Sequence, residues 1–289
     1  MEVAEIIKKI QRLEIKTKGL TKQVFSGEYH SAFKGKGMAF SEVREYQLGD
    51  EVRTIDWNVT ARFGNPFVKV FEEERELTVM LMIDLSGSND FGLESKSKKE
   101  LAIEITAVLL FSAISNKDKV GAIFITDKVE KYIPAGKGRN HALLILRHLI
   151  EFHPENKGTN LNEGLKFFRN TQKKRCIAFL ISDFQDENNF IEGIKLSSKK
   201  HDLVGINIKD KSEFELPKLG IVQLYNAETN KTSWVNTNAV SVQAKFKNQA
   251  ITKQNRIIDE FKKAGVDLAT ITTDEDYIPI LMKLFKKRG

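Results

Sequence analysis

The stretch Leu77-Thr-Val-Met-Leu-Met-Ile-Asp84-Leu-Ser86-Gly-Ser88 decides the fold. A nearly unbroken apolar and β-branched run ends in a carboxylate followed by two alternating hydroxyls. A strand that is hydrophobic on both faces belongs in the middle of a parallel sheet covered by helices. Its carboxyl end opens onto the sheet edge where α/β folds place their ligands. Asp84, Ser86 and Ser88 would present hard oxygens there, a donor set that suits Mg²⁺ or Mn²⁺.

The pattern predicts strands at 77–84, 118–126, 129–134, 175–182, 202–208 and 266–272. Helices are expected near 95–115, 139–153, 161–171, 188–198, 239–264 and 276–287. Such alternation predicts an α/β, doubly wound and mostly parallel sheet. The short Asp127-Lys128 link adds one antiparallel edge strand, and Gly220–Tyr225 with Lys231–Val235 reads as a β-hairpin insertion. Residues 1–75 form an N-terminal extension, with a helix over Glu2–Leu13 and then a glycine-punctuated stretch; residues 76–289 form the α/β domain.

Bulk properties narrow the function. At 289 residues and 41% hydrophobic content, the chain can bury one large core plus a small appendage. A single cysteine excludes a disulfide framework and points to a reducing compartment. Cys176, flanked by Ile177, Ala178, Phe179 and Leu180, reads as a packed core thiol. The acidic, amphipathic N-terminus lacks a signal-peptide core, and no apolar run approaches the ~20 residues that span a bilayer. These features predict a cytoplasmic protein without transmembrane segments. The formal charge of +7 is dispersed, with no aromatic-interleaved basic stripe or zinc-finger spacing. It therefore reads as a solvated surface with cationic helix ends and no nucleic-acid partner, and it suits an acidic protein partner or an anionic surface.

Two more oxygen donors fall at equivalent places. Thr159 precedes the helix beginning near Leu161, where a capping role is the plain alternative. Asp183 follows the strand through Cys176–Ile181, where a turn role is the alternative. Enzyme signatures are absent: there is no phosphate-binding Gly-rich loop ending in Lys-Ser/Thr, no Gly-x-Ser-x-Gly elbow and no His-Glu-x-x-His helix. His141 and His148 lie seven apart on one helix and lack a third metal ligand.

The ordered series Asp84-x-Ser86-x-Ser88, Gly158-Thr159 before a helix and Ser182-Asp183-Phe184 after a strand resembles the metal-ion-dependent adhesion site of von Willebrand factor A domains. Upstream, Gly35-Lys-Gly37, Arg44-Glu-Tyr46, Gly49-Asp50, Arg53-Thr-Ile-Asp56-Trp57, Ala61-Arg62 and Phe71-Glu72 resemble the signature of the domain-of-unknown-function-58 family. Leu216-Pro217, Gly220 and Glu228-Thr229 fit that family's hairpin insertion, although Asn226 and Asn230 stand where Asp and Gly are expected. Family members that carry N-terminal membrane spans also differ from this sequence.

The resemblance implies a metal site of Asp84, Ser86, Ser88, Thr159 and Asp183 holding Mg²⁺ or Mn²⁺. One coordination position would stay open for an acidic residue of a protein partner. It further implies a non-enzymatic adaptor working with a MoxR-type AAA+ ATPase in complex assembly or maturation. The alternative is a divalent-metal-dependent phosphoester hydrolase, with Asp186 as the nearest acid available as a base; a basic scaffold for nucleic acid or membrane is a third reading. Trp57 is expected to be buried against the sheet or the first helix. Asp50, Arg53, Asp56 and Arg62 are expected to form an internal salt-bridge network that clasps the N-terminal segment onto the α/β domain or, on Arg53 and Arg62, a docking surface or a phosphate site. Glu72, Glu73, Glu74 and Glu76 read as a charged, protected edge strand.

Overall fold

The computed structural model describes residues 39–72, 77–87, 97–156, 158–186, 188–215, 217–226 and 231–288. The expected helix over Glu2–Leu13, the acids Glu73, Glu74 and Glu76, the extension boundary near 75 and Ser88 lie outside the described residues. The extension contributes β1 (Ala39–Glu45), α1 (Trp57–Phe63) and β2 (Phe67–Glu72). The main domain runs β3 (Thr78–Asp84), α2 (Lys98–Ser115), β4 (Lys119–Ile125), β5 (Val129–Gly136), α3 (Arg139–Glu151) and α4 (Leu161–Thr171). It continues through β6 (Ile177–Ser182), α5 (Ile191–Ser198), β7 (Asp202–Lys209), β8 (Ile221–Asn226), β9 (Lys231–Asn236), α6 (Val240–Lys263), β10 (Asp267–Thr272) and α7 (Tyr277–Arg288).

Six strands form one sheet in the order β10-β7-β6-β3-β4-β5. All neighbours are parallel except β4 and β5, which pair antiparallel as the short Asp127-Lys128 link predicts. The chain builds outward from β3 through β4 to β5, then returns to the other side of β3 with β6, β7 and β10. The winding reverses between β3 and β6, and that reversal opens a crevice beyond their carboxyl ends.

Alternation along the strands feeds two cores. Val79, Leu81 and Ile83 face one core with residues of α2, α3 and α7, including Leu109, Leu146 and Leu281. Met80 and Met82 face the other with residues of α4, α5 and α6, including Phe168, Ile194 and Phe261. The two-sided apolar pattern of β3 thus reflects helices on both faces. α2 is buried on nearly every side, so its apolar surface is wider than a single stripe.

The hairpin β8–β9 is antiparallel, as the two alternating runs predict. The extension holds a second antiparallel pair, β1–β2, which the glycine-punctuated pattern did not disclose. Trp57 is 66% exposed, contrary to the expectation of burial. It opens α1, a seven-residue helix with no buried residue, held at its start by the Asp56 cap accepting from Asn58 N and Val59 N. The expected salt-bridge network is also rearranged. Asp50 pairs with Arg44 at 2.7 Å and Asp56 with Lys69 at 3.4 Å, partners brought in by β1 and β2. Arg53 and Arg62 are exposed and form no ion pair among the described residues. No helix among the described residues is long and apolar enough to cross a membrane.

Close packing at β7 is testable. A Cβ on Gly205 would lie 2.4 Å from Phe261 Cε1 and 2.7 Å from Leu268 Cδ1. Gly205→Ala should therefore cost about 1–3 kcal/mol of stability through overpacking, seen as a lower urea midpoint with an unchanged slope.

Candidate metal and partner-binding site

Asp84 is the last residue of β3 and Ser182 the last of β6, and Ile83 pairs with Ile181 one step earlier. The register therefore sets Asp84 beside Ser182 across the crevice. Ser182 Oγ donates to Asp84 Oδ2 at 2.6 Å and accepts from Phe184 N at 2.8 Å. Asp84 Oδ1 accepts from Ser86 N at 2.9 Å. Asp84, Ser86, Ser182 and Asp183 are all essentially buried.

Asp183 follows Ser182 and turns toward α2. Its Oδ1 accepts from Gln185 N at 3.1 Å and its Oδ2 pairs with Lys98 Nζ at 2.7 Å. The next residue, Phe184, has φ +54°, a left-handed conformation that a bulky side chain rarely adopts. Burial against Phe190 and Phe261, with ring centroids 5.8 and 4.9 Å away, holds it there. The strained residue thereby fixes the direction in which the Asp183 loop leaves the sheet.

Thr159 is half-buried in the loop before α4. The cap of that helix is Asn160, whose side chain accepts from Glu163 N, so the capping alternative passes to the neighbour. Asn188 Nδ2 donates to Thr159 O at 3.2 Å, tying the Thr159 loop to the one after Asp183. Asp186 accepts from Leu161 N at 2.7 Å and from Asn188 N at 2.8 Å, which makes it a brace between those two loops. The structure thus brings Asp84, Ser86 and Asp183 into one buried group and ties the Thr159 loop to the Asp183–Asn188 segment.

Two contributors, Lys98 and Glu213, escaped the sequence reading, and a third, Ser182, was quoted within the motif without a role. Lys98 also pairs with Glu213 Oε1 at 2.9 Å, and Lys209 with Glu213 Oε2 at 3.3 Å. The signal for Ser182 was its place directly before Asp183. For Lys98 it was a cation at the start of an apolar helix, where acids are favoured. Asn207, level with Ser182 on β7, is buried with no hydrogen-bond partner for its amide among the described residues.

Electrostatics mark the crevice. Burial, then the neighbouring Asp183 charge, pushes Asp84 up to about 6, against hydrogen bonds from Ser182 and Ser86. Burial pulls the Lys98 ammonium down, but Asp183 and Glu213 more than offset it and the net direction is up. Elsewhere, burial pushes Cys176 up to about 12, an inert thiol 3.3 Å from His201 Nδ1. His141 meets Pro134 O and His148 meets Lys131, so the two are engaged separately.

The donors fit a hard divalent ion: carboxylates and hydroxyls, with negative charge in a low-dielectric crevice. Among the described residues no group of three or more His, Cys, Asp and Glu could hold a metal; a site here would rely on the hydroxyls of Ser86 and Thr159 as well as the carboxylates.

A family model, "Protein of unknown function DUF58", matches residues 42–256. The chain belongs to the DUF58 family. It is 27% identical over 281 residues to the uncharacterized protein Rv1480 of Mycobacterium tuberculosis, covering 96% of this chain and 88% of that one. Among solved structures, the conserved hypothetical protein BatB of Bacteroides thetaiotaomicron overlaps with TM-score 0.46 at 15% identity, covering 73% of this chain and 96% of that one. The SpRpn10 VWA domain overlaps with TM-score 0.39 at 14% identity, covering 73% of this chain and 94% of that one. The fold of this DUF58 protein stands on its strand order rather than on those overlaps.

The raised Asp84 value carries a sign. The folded value of about 6 lies above the ordinary 3.8, so the native state keeps a proton that the unfolded chain releases between them. This contribution to stability is complete below the ordinary value and is lost as pH rises through the folded one. Asp84→Asn, which cannot ionise, should gain on the parent by about 2 kcal/mol between roughly pH 4 and pH 7 without divalent ions. Urea melts at the two pH values check this.

Proposed function

We propose that this DUF58 protein is a non-enzymatic, metal-dependent protein-binding adaptor. The observation that carries the reading is the convergence of Asp84 and Asp183 at the winding reversal, buried together, with Ser182, the residue before Asp183, donating its hydroxyl to Asp84. In this reading Asp84, Ser86, Ser88, Thr159 and Asp183 hold Mg²⁺ or Mn²⁺. The ion, once bound, would act as a Lewis acid toward one oxygen from outside.

The chain's own residues prepare that contact. Ser182 and the Ser86 N–H hold the Asp84 carboxylate in one orientation. Gln185 N does the same for Asp183 through its Oδ1. A partner offering Asp or Glu would satisfy both the ion and the specificity, because a neutral side chain supplies no charge against the desolvation cost. The family resemblance supports a MoxR-type AAA+ ATPase as the partner that provides energy. Engagement of Asp186 by Leu161 N and Asn188 supports the adaptor over the hydrolase, for which Asp186 was the available base.

The test is an affinity capture in Mg²⁺ followed by EDTA, with identification of what elutes. Asp84→Ala should weaken Mg²⁺-dependent capture by roughly tenfold or more, about 1.4 kcal/mol per decade, while keeping a cooperative melt. Capture indifferent to both EDTA and Asp84→Ala overturns the reading. Mg²⁺-dependent phosphoester turnover that Asp84→Ala abolishes replaces the adaptor with the hydrolase.

A further inference from the structure

Lys98 is a cation beside a proposed cation site. Its side chain is 2% exposed, against 6% for Lys209, the other ammonium of the cluster. It is the first residue of α2, directly after the Ser97 cap, which accepts from Glu100 N at 3.2 Å. Backbone N–H groups at that end already present partial positive charge, so an acid is the favoured occupant. A buried ammonium there is opposed by desolvation and by the helix dipole together.

Two carboxylates from different elements hold it. Asp183 Oδ2 lies 2.7 Å away and Glu213 Oε1 2.9 Å away. Glu213 sits in the single helical turn after β7 and is itself fixed from three sides. Its Oε1 accepts from Asp210 N at 3.2 Å, and its Oε2 from Gln185 Nε2 at 2.9 Å and Lys209 Nζ at 3.3 Å. Lys98 therefore has a second, rigid seat that does not depend on Asp183. Asp183, by contrast, is the carboxylate whose charge reaches Asp84.

We propose that Lys98 is a resident cation shared between Asp183 and Glu213, which yields Asp183 to an arriving divalent ion and thereby sets that ion's affinity. The proposal rests on the metal reading above and concerns its regulation. With the ammonium on Asp183, the crevice offers an ion the charge of Asp84 and the repulsion of Lys98. Binding then requires Asp183 to be released, and Glu213 keeps the displaced ammonium paired in the low-dielectric interior. A site tuned this way holds its ion weakly alone and more firmly once a partner adds a carboxylate, which couples ion and partner binding. Lys98 is a positioning and charge-setting residue, since it would touch neither ion nor partner.

The experiment titrates MgCl₂ and MnCl₂ into the full chain by calorimetry, for the parent, Lys98→Met, Glu213→Gln and a remote exposed control, Lys247→Met. Lys98→Met should tighten the ion on the order of tenfold, and Lys247→Met should change it by less than about twofold because solvent and salt screen it. Glu213→Gln removes the second seat and should weaken the ion several-fold. In the parent, ¹⁵N-ammonium NMR should show the Lys98 Nζ resonance moving on Mg²⁺ addition, a change that a purely structural lysine would not give. Folded Lys98→Met with unchanged or weaker affinity overturns the proposal. Should that variant fail to fold, parent-like affinity in Glu213→Gln overturns it instead. Parent binding that Asp84→Ala abolishes, without tightening in Lys98→Met, sinks this proposal alone. Absence of saturable ion binding in parent and Lys98→Met alike sinks the metal reading and this proposal with it.

Discussion

Parallel pairing of β3 with β6 is the constraint on which the rest depends. Five residue pairs, Val79 with Ile177 through Ile83 with Ile181, set the register. A slip of one residue would turn every side chain of β6 to the other face. Ile177, Phe179 and Ile181 would leave the core they share with α2, and Ser182 would no longer face Asp84. Apolar burial on both faces of the sheet thus holds the polar geometry at its edge. The hydrophobic cost of misregistry far exceeds the worth of any single hydrogen bond there.

The edge itself is expensive to maintain. Asp84, Asp183, Lys98, Lys209 and Asp210 are all withdrawn from water. Buried ion pairs commonly break even against apolar substitutes of similar volume, so they are weak evidence for stability. Asp210 accepts from Ser212 N and from Thr273 Oγ1 at 2.8 Å, extending the network to the loop after β10. Loops after β6, β7 and β10 and the start of α2 are therefore bound to one another through charge. A fold interested only in stability would have closed this edge with apolar residues, as it did along the strands. Perturbed, coupled charges in a crevice at a winding reversal are a recognised mark of a functional site.

The extension follows a different economy. β1 and β2 pair with each other, an isolated bridge joins Ile55 to Val68, and Val68 is buried. The Asp50 carboxylate accepts a bidentate contact from Arg44, at 2.8 and 2.7 Å, and also accepts from Gln47 N. It closes the turn after β1 with fixed geometry. Leu48, Val52, Trp57 and Phe63 remain exposed around it. The alternating charges of this motif are therefore local staples between neighbouring strands and a helix cap, and the expectation of a self-contained network confused sequence proximity with pairing.

The amino-acid sequence by itself determined the α/β class, the six main strands, the antiparallel edge, the hairpin insertion and the oxygen donors at the ends of β3 and β6. Each of these is written in local periodicity or in a residue type at a strand terminus, which chain geometry alone converts into structure. Only the tertiary structure decided who meets whom. The Ser182–Asp84 bond spans 98 residues, the Lys98–Asp183 pair 85 and the Lys98–Glu213 pair 115. No local pattern encodes such partners, because they arise from which strands become neighbours. The same reason explains the errors: Trp57 was read as core from its chemistry, and Arg53 and Arg62 as partners from their spacing. Burial and ion pairing are properties of the packed chain, settled by what the sheet and its helices leave open to water.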